Sequence, residues 1–105
     1  MSTMDFQLDH IGYLTDDIGR TAQLFELLGY QQGDTVDDDR QKTKICFLRK
    51  DEETAIELVQ PYADNATMMR MLKKHGCGSY HLCYACDDVD RLYQELTELK
   101  DDTLK

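Results

Sequence analysis

Proline occurs once in this chain, at Pro61, and no low-complexity tract accompanies it. A basic excess is lacking as well. The formal charge is −9, which argues against nucleic acid or an anionic membrane as the main partner, because a phosphate backbone needs a basic face. No apolar run approaches the roughly 20 residues that cross a bilayer. Met1–Ser2–Thr3–Met4–Asp5 has neither the basic start nor the apolar core of a signal peptide. The expectation is a cytoplasmic protein in which Cys46, Cys77, Cys83 and Cys86 are free thiols.

Cys83 and Cys86 have C-x-x-C spacing, yet the second ligand pair of a structural zinc site is lacking; only Cys77 and His75 or His81 lie nearby. The stretch His-Leu-Cys-Tyr-Ala-Cys reads as a strand, in which residues three apart face opposite sides. The cysteines are therefore read as small buried hydrophobes. Asp37–Asp38–Asp39, Asp51–Glu52–Glu53 and Asp101–Asp102 read as solvated loops and tails that serve solubility.

What is present fits one domain of 105 residues. Phe6 to Leu14 alternates as a strand, with Leu8, His10, Gly12 and Leu14 on one face. Thr15–Asp16–Asp17 predicts a turn and helix cap. Ile18, Ala22, Phe25 and Leu28, with Leu24 beside them, predict a helix that Gly29 stops. Strands are predicted over 30–36, 43–49 and 54–60, the second entered by a turn from Asp37 to Lys42. A Met-rich helix over 65–74 is expected to use Met68, Met69 and Met71 for packing. A strand over 80–86 and a last helix capped by Asp87–Asp88 complete the order βαβββ, short helix, βα.

The most informative feature is internal. A shift of 71 positions carries His10 onto His81, Tyr13 onto Tyr84, Asp16–Asp17 onto Asp87–Asp88, Arg20 onto Arg91 and Leu28 onto Leu99. Such similarity signals one structural unit used twice. Two strand–helix units related by a pseudo-twofold axis would bring His10 and His81 to face one another. Taken singly, each histidine also suits a hydrogen-bonded core or a surface position; their coincidence under the repeat favours metal ligands. Glu57 is the one charge inside Ala55–Ile56–Glu57–Leu58–Val59. A carboxylate there is either paired or coordinated, or it faces solvent while Ile56 and Leu58 cover the other side.

These residues also carry a resemblance. Leu8–Asp9–His10–Ile11–Gly12, Ile56–Glu57–Leu58–Val59–Gln60–Pro61 and Gly78–Ser79–Tyr80–His81–Leu82 resemble the vicinal-oxygen-chelate superfamily. That group includes glyoxalase I, extradiol dioxygenases, bleomycin-resistance proteins and methylmalonyl-CoA epimerase; the patterns look most like the epimerase and glyoxalase-like lyases. The resemblance implies an α+β fold with a glyoxalase-like curved mixed sheet, in one domain over 1–105. A βαβββ module over 6–61 would be joined by a connecting helix, 62–78, to a partial second module (βα) over 79–105, its C-terminal strands missing.

The same resemblance implies His10, Glu57 and His81 as ligands to a divalent metal ion (Zn, Co, Ni or Mn). The usual fourth ligand lies on a last strand that this sequence does not contain, so either the chain is truncated, which is the expectation, or another chain supplies that strand. A catalytic carboxylate before the third strand would be Asp39, beside Asp37, Asp38 and Arg40. The implied function is a metal-dependent lyase or isomerase acting on a small carbonyl substrate, such as a CoA or glutathione thioester or adduct, in a homodimer. Two alternatives stand beside it: a non-catalytic, resistance-type small-molecule-binding protein on the same fold, and an accessory module of a larger enzyme.

Overall fold

The computed structural model describes residues 6–86 and 88–103. The elements follow the expected order: β1 (Phe6–Leu14), α1 (Ile18–Glu26), β2 (Gln31–Asp38), β3 (Thr43–Arg49), β4 (Ala55–Pro61), α2 (Ala66–His75), β5 (Gly78–Cys86) and α3 (Val89–Thr103). The five strands form one mixed sheet in the order β2-β3-β4-β1-β5. β1 runs parallel to β4, and the other neighbouring pairs are antiparallel.

Alternation along the strands divides the sheet into two faces. Ile56 and Leu58 of β4 and Cys46 and Leu48 of β3 point to one side, where Ile18 and Ala22 of α1 close the core, with Tyr13, Phe25 and Tyr30 packed at its edge. The start of α1 is tied down tightly. The Asp17 side chain accepts the Arg20 N–H at 3.1 Å, and Gln60 Oε1 accepts the Ile18 N–H at 3.0 Å. Thr15 and Thr21, both buried, join hydroxyl to hydroxyl at 2.6 Å. The first turn of α1 is thus locked to the end of β4, leaving the opposite face of the sheet clear of it.

Several boundaries depart from expectation for identifiable reasons. β2 continues through Asp37 and Asp38, because Lys44 and Thr43 pair opposite them and a cross-strand cation offsets an acidic strand residue. α1 ends at Glu26, and Gly29, at φ +96°, takes the left-handed conformation that reverses the chain. Leu24 is 60% exposed, so the apolar stripe of α1 is narrower than its sequence, and Leu28, beyond the end of the helix, is 61% exposed. The Met-rich α2 buries none of its residues fully. Of the four free cysteines only Cys46 is buried; Cys77 is exposed because it sits in the short link before β5. Asp87, half of the predicted cap of α3, lies outside the described residues; Asp88 does cap the helix, accepting the Arg91 N–H at 3.0 Å. Among the described residues no helix is long and apolar enough to cross a membrane.

Candidate metal centre

The clear face of the sheet carries the residues singled out by the repeat. β1 lies between β4 and β5, and its register sets out one row across four strands: Phe47 opposite Glu57, Glu57 opposite Gly12, and Gly12 opposite His81. Directly opposed residues share a face, and His10 lies two residues before Gly12 on the same side. The β1–β5 ladder also obeys the repeat. Gly12↔His81 and His10↔Cys83 exchange under the shift that superposes the two histidines, and Ile11↔Leu82 maps onto itself. A local twofold therefore passes between Ile11 and Leu82.

Even the irregularities are paired. The ladder slips once between Leu8 and His10, leaving Asp9 unopposed, and once between Gly12 and Tyr13, leaving Tyr80 unopposed. Asp9 and Tyr80 are equivalent under the repeat, and each immediately precedes a histidine. A bulge bends its strand and re-aims the neighbouring side chain. Here each bulged residue also touches the imidazole that it re-aims. Asp9 Oδ2 lies 2.8 Å from His10 Nδ1, and the Tyr80 ring stands edge-on to His81 with centroids 4.3 Å apart.

His10, Glu57 and His81 converge as a result. His10 Nε2 lies 3.8 Å and His81 Nε2 3.9 Å from Glu57 Oε1, and one donor atom from each residue falls within 4.8 Å of the others. Bonds of about 2.1 Å to a common ion would set donors about 3.4 Å apart in a tetrahedron and about 4.2 Å apart when opposed, so the two Glu57 pairs suit one ion, and the 4.8 Å that bounds the set asks the imidazoles to draw in slightly around it. An ionised Asp9 can only accept, so in a neutral His10 the N–H sits on Nδ1 and Nε2 is left to face Glu57 with its lone pair. The Glu57 side chain is only 15% exposed and its charged neighbours are the two imidazoles; a cation between the three would offset its charge. The donor set therefore fits a divalent metal. Its open side is at His81, 37% exposed against 13% for His10.

Gly12 is a residue that pattern reading passed over. A β-carbon at this position would lie 2.3–2.6 Å from three atoms of the His81 ring. Its lack of a side chain gives that ring the space to lie across β1. A glycine inside an alternating strand was the available signal. Phe47 backs His10 edge-on, with centroids 5.4 Å apart, which limits the ring to the side facing Glu57.

Asp39 is not one of the three converging donors, and it lines a cavity that Glu57 also lines. Tyr62 donates its hydroxyl to Asp39 Oδ1 at 2.7 Å. That bond, some desolvation and the fields of Asp37, Asp39 and Asp38 push the Tyr62 phenol up to about 12. Tyr80 is also raised to about 12, by burial first and then by the charge of Glu57.

Residues 9–100 match the family described as the Glyoxalase/Bleomycin resistance protein/Dioxygenase superfamily. The uncharacterized protein YqjC of Bacillus subtilis (strain 168) is 25% identical over 95 residues, covering 88% of this chain and 66% of that protein. Among solved structures, a hypothetical protein from Bacillus halodurans C-125 is 26% identical with a TM-score of 0.80, over 90% of this chain and 68% of that one. A methylmalonyl-CoA epimerase from Mycobacterium tuberculosis is 22% identical with a TM-score of 0.78, over 89% of this chain and 63% of its own. The chain thus spans about two thirds of the length of the proteins that it matches.

Proposed function

The chain belongs to the Glyoxalase/Bleomycin resistance protein/Dioxygenase superfamily, and from that premise we propose that it is a metal-dependent lyase or isomerase acting on a small carbonyl substrate. The convergence of His10, Glu57 and His81 within 4.8 Å carries this reading. The kinship in fold with an epimerase that acts on methylmalonyl-CoA supports it. A divalent cation held by these three side chains would supply Lewis acidity toward two neighbouring oxygens and so acidify the adjacent C–H.

The chain's own residues account for the rest. The two imidazoles and the carboxylate hold the charge on the sheet face, and Phe47 keeps the inner side of the site dry. Asp39 is the base. Tyr62 holds one of its oxygens, leaving the other to take a proton from carbon and return it, a role worth about 10²–10⁴-fold in rate. The homodimer expected from the resemblance remains part of the proposal.

Elemental mass spectrometry of the purified protein tests the site. About one transition metal per chain is expected, with its loss in His10→Ala. Asp39→Asn should keep the metal while lowering epimerase or lyase turnover by at least about 10²-fold. Metal-free protein from metal-replete cells would sink the metal centre. Full metal with undiminished ligand binding but no turnover would instead identify a binding protein.

A further inference from the structure

The cavity in front of Glu57 has a volume of about 660 Å³. Val36, Ile45 and Phe47 give it an apolar wall, and its charged lining is one-sided: Asp34, Asp37, Asp38, Asp39 and Glu57 against Arg40 alone. Two further cations lie close. Lys44 stands opposite Asp37 in the β2–β3 ladder, offsetting that aspartate. Arg49 lies over Phe47, 5.2 Å from the ring centroid, at the edge of the cavity. Among the described residues no ion pair reaches Asp34, Asp38 or Asp39.

We propose that this cavity admits substrates whose non-chelating end is neutral or cationic, and that it disfavours polyanionic carriers of the acyl-CoA kind. The inference rests on the metal-centre reading and narrows it. A metal held by His10, Glu57 and His81 would take the oxygen pair of the substrate, which leaves the rest of the molecule to lie along the apolar wall between the aspartates. A negative group there meets several like charges within the roughly 10 Å over which charges are felt at moderate salt. Complementarity of this kind acts on selection more than on raw affinity.

The test uses the full chain loaded with Zn(II) and three ligands that share one vicinal oxygen pair and differ at the far end: dopamine, catechol and homoprotocatechuate. Calorimetry under anaerobic conditions should rank them cation, neutral, anion, with about tenfold between the extremes at low ionic strength. The spread should collapse at high salt, which a steric preference would not do. Asp34→Asn combined with Asp38→Asn should narrow the spread and leave Zn(II) affinity unchanged; asparagine at position 38 still accepts the Gln41 N–H that Asp38 Oδ1 binds at 3.1 Å. Equal affinities, a reversed order, a salt-independent spread, no catechol binding at all, or propionyl-CoA binding as tightly as dopamine would each overturn the inference. A failed Zn(II) titration would instead remove the metal centre on which it rests, so the two failures are separable.

Discussion

Helices α1 and α3 begin with the same device and end in different surroundings. Asp17 and Asp88, equivalent under the repeat, each accept the backbone N–H three residues on, from Arg20 at 3.1 Å and from Arg91 at 3.0 Å. Beyond the cap the likeness stops. Ile18 and Ala22 are 5% and 0% exposed, whereas their counterparts Val89 and Tyr93 are 68% and 74% exposed. α1 has β2, β3 and β4 to lie on, and no described strand packs against α3 to a comparable extent. A cap and an apolar stripe are thus enough to start and orient a helix, but burial belongs to the sheet that receives it. The same contrast applies to the strands: β1 is paired on both sides, and β5 is an edge.

The comparison breaks most visibly in the core. Leu58 is fully buried and Leu96 is 54% exposed. Leu58→Ala should cost about 2–5 kcal/mol of unfolding free energy by urea denaturation, and Leu96→Ala should stay within about 0.5 kcal/mol of the parent. Comparable costs would show that α3 is covered in solution, and their dependence on protein concentration would then say whether by a second copy.

A smaller effect separates the two sides of the local twofold. Gly12 faces His81 and Cys83 faces His10, so the repeat makes them equivalent, yet only Gly12 has an imidazole lying across it. Gly12→Ala would drive the His81 ring away, lowering metal affinity by about 10–100-fold at a stability cost of about 1–3 kcal/mol. Cys83→Ala should leave metal affinity within about twofold, since nothing is placed in the path of His10. Isothermal titration of both variants decides. An unaffected Gly12→Ala would mean that His81 has another orientation in solution.

Much of this architecture is legible in the sequence because it is local or repeated. The alternation of β1, the caps at Asp17 and Asp88, and the lone charge of Glu57 among apolar neighbours all depend on nearby residues. The partnership of His10 with His81 is long-range, but the repeat writes it into the chain twice. The unread features depend on pairing. That Asp9 and Tyr80 bulge, or that Gly12 lies under an imidazole, follows from the β1–β5 register, which no single strand contains. The reach of β2 to Asp38 likewise needs Lys44 across the ladder. Leu24 and Leu28 carry helical spacing, but Leu24 lies off the strip of α1 that the sheet covers and Leu28 follows the end of the helix, so periodicity over-predicts the core there.

The smallest expected difference is the sharpest test of what the caps themselves do. Asp17 sits in a network: its backbone N–H donates to Thr15 Oγ1 at 3.1 Å, and the next N–H goes to Gln60 at 3.0 Å, so losing the carboxylate strains contacts that join α1 to β4. Asp17→Ala should cost about 1 kcal/mol of global stability, with most of it recovered by Asp17→Asn, which keeps the acceptor. Asp88→Ala removes the same bond from a helix that stabilises little else. Its cost should appear as faster amide exchange in the first turn of α3, with global stability lowered by only a few tenths of a kcal/mol. If the two alanine variants proved equally costly to the whole fold, α3 would have to be coupled to the sheet as firmly as α1, and the difference in their burial would no longer measure a difference in what each helix holds together.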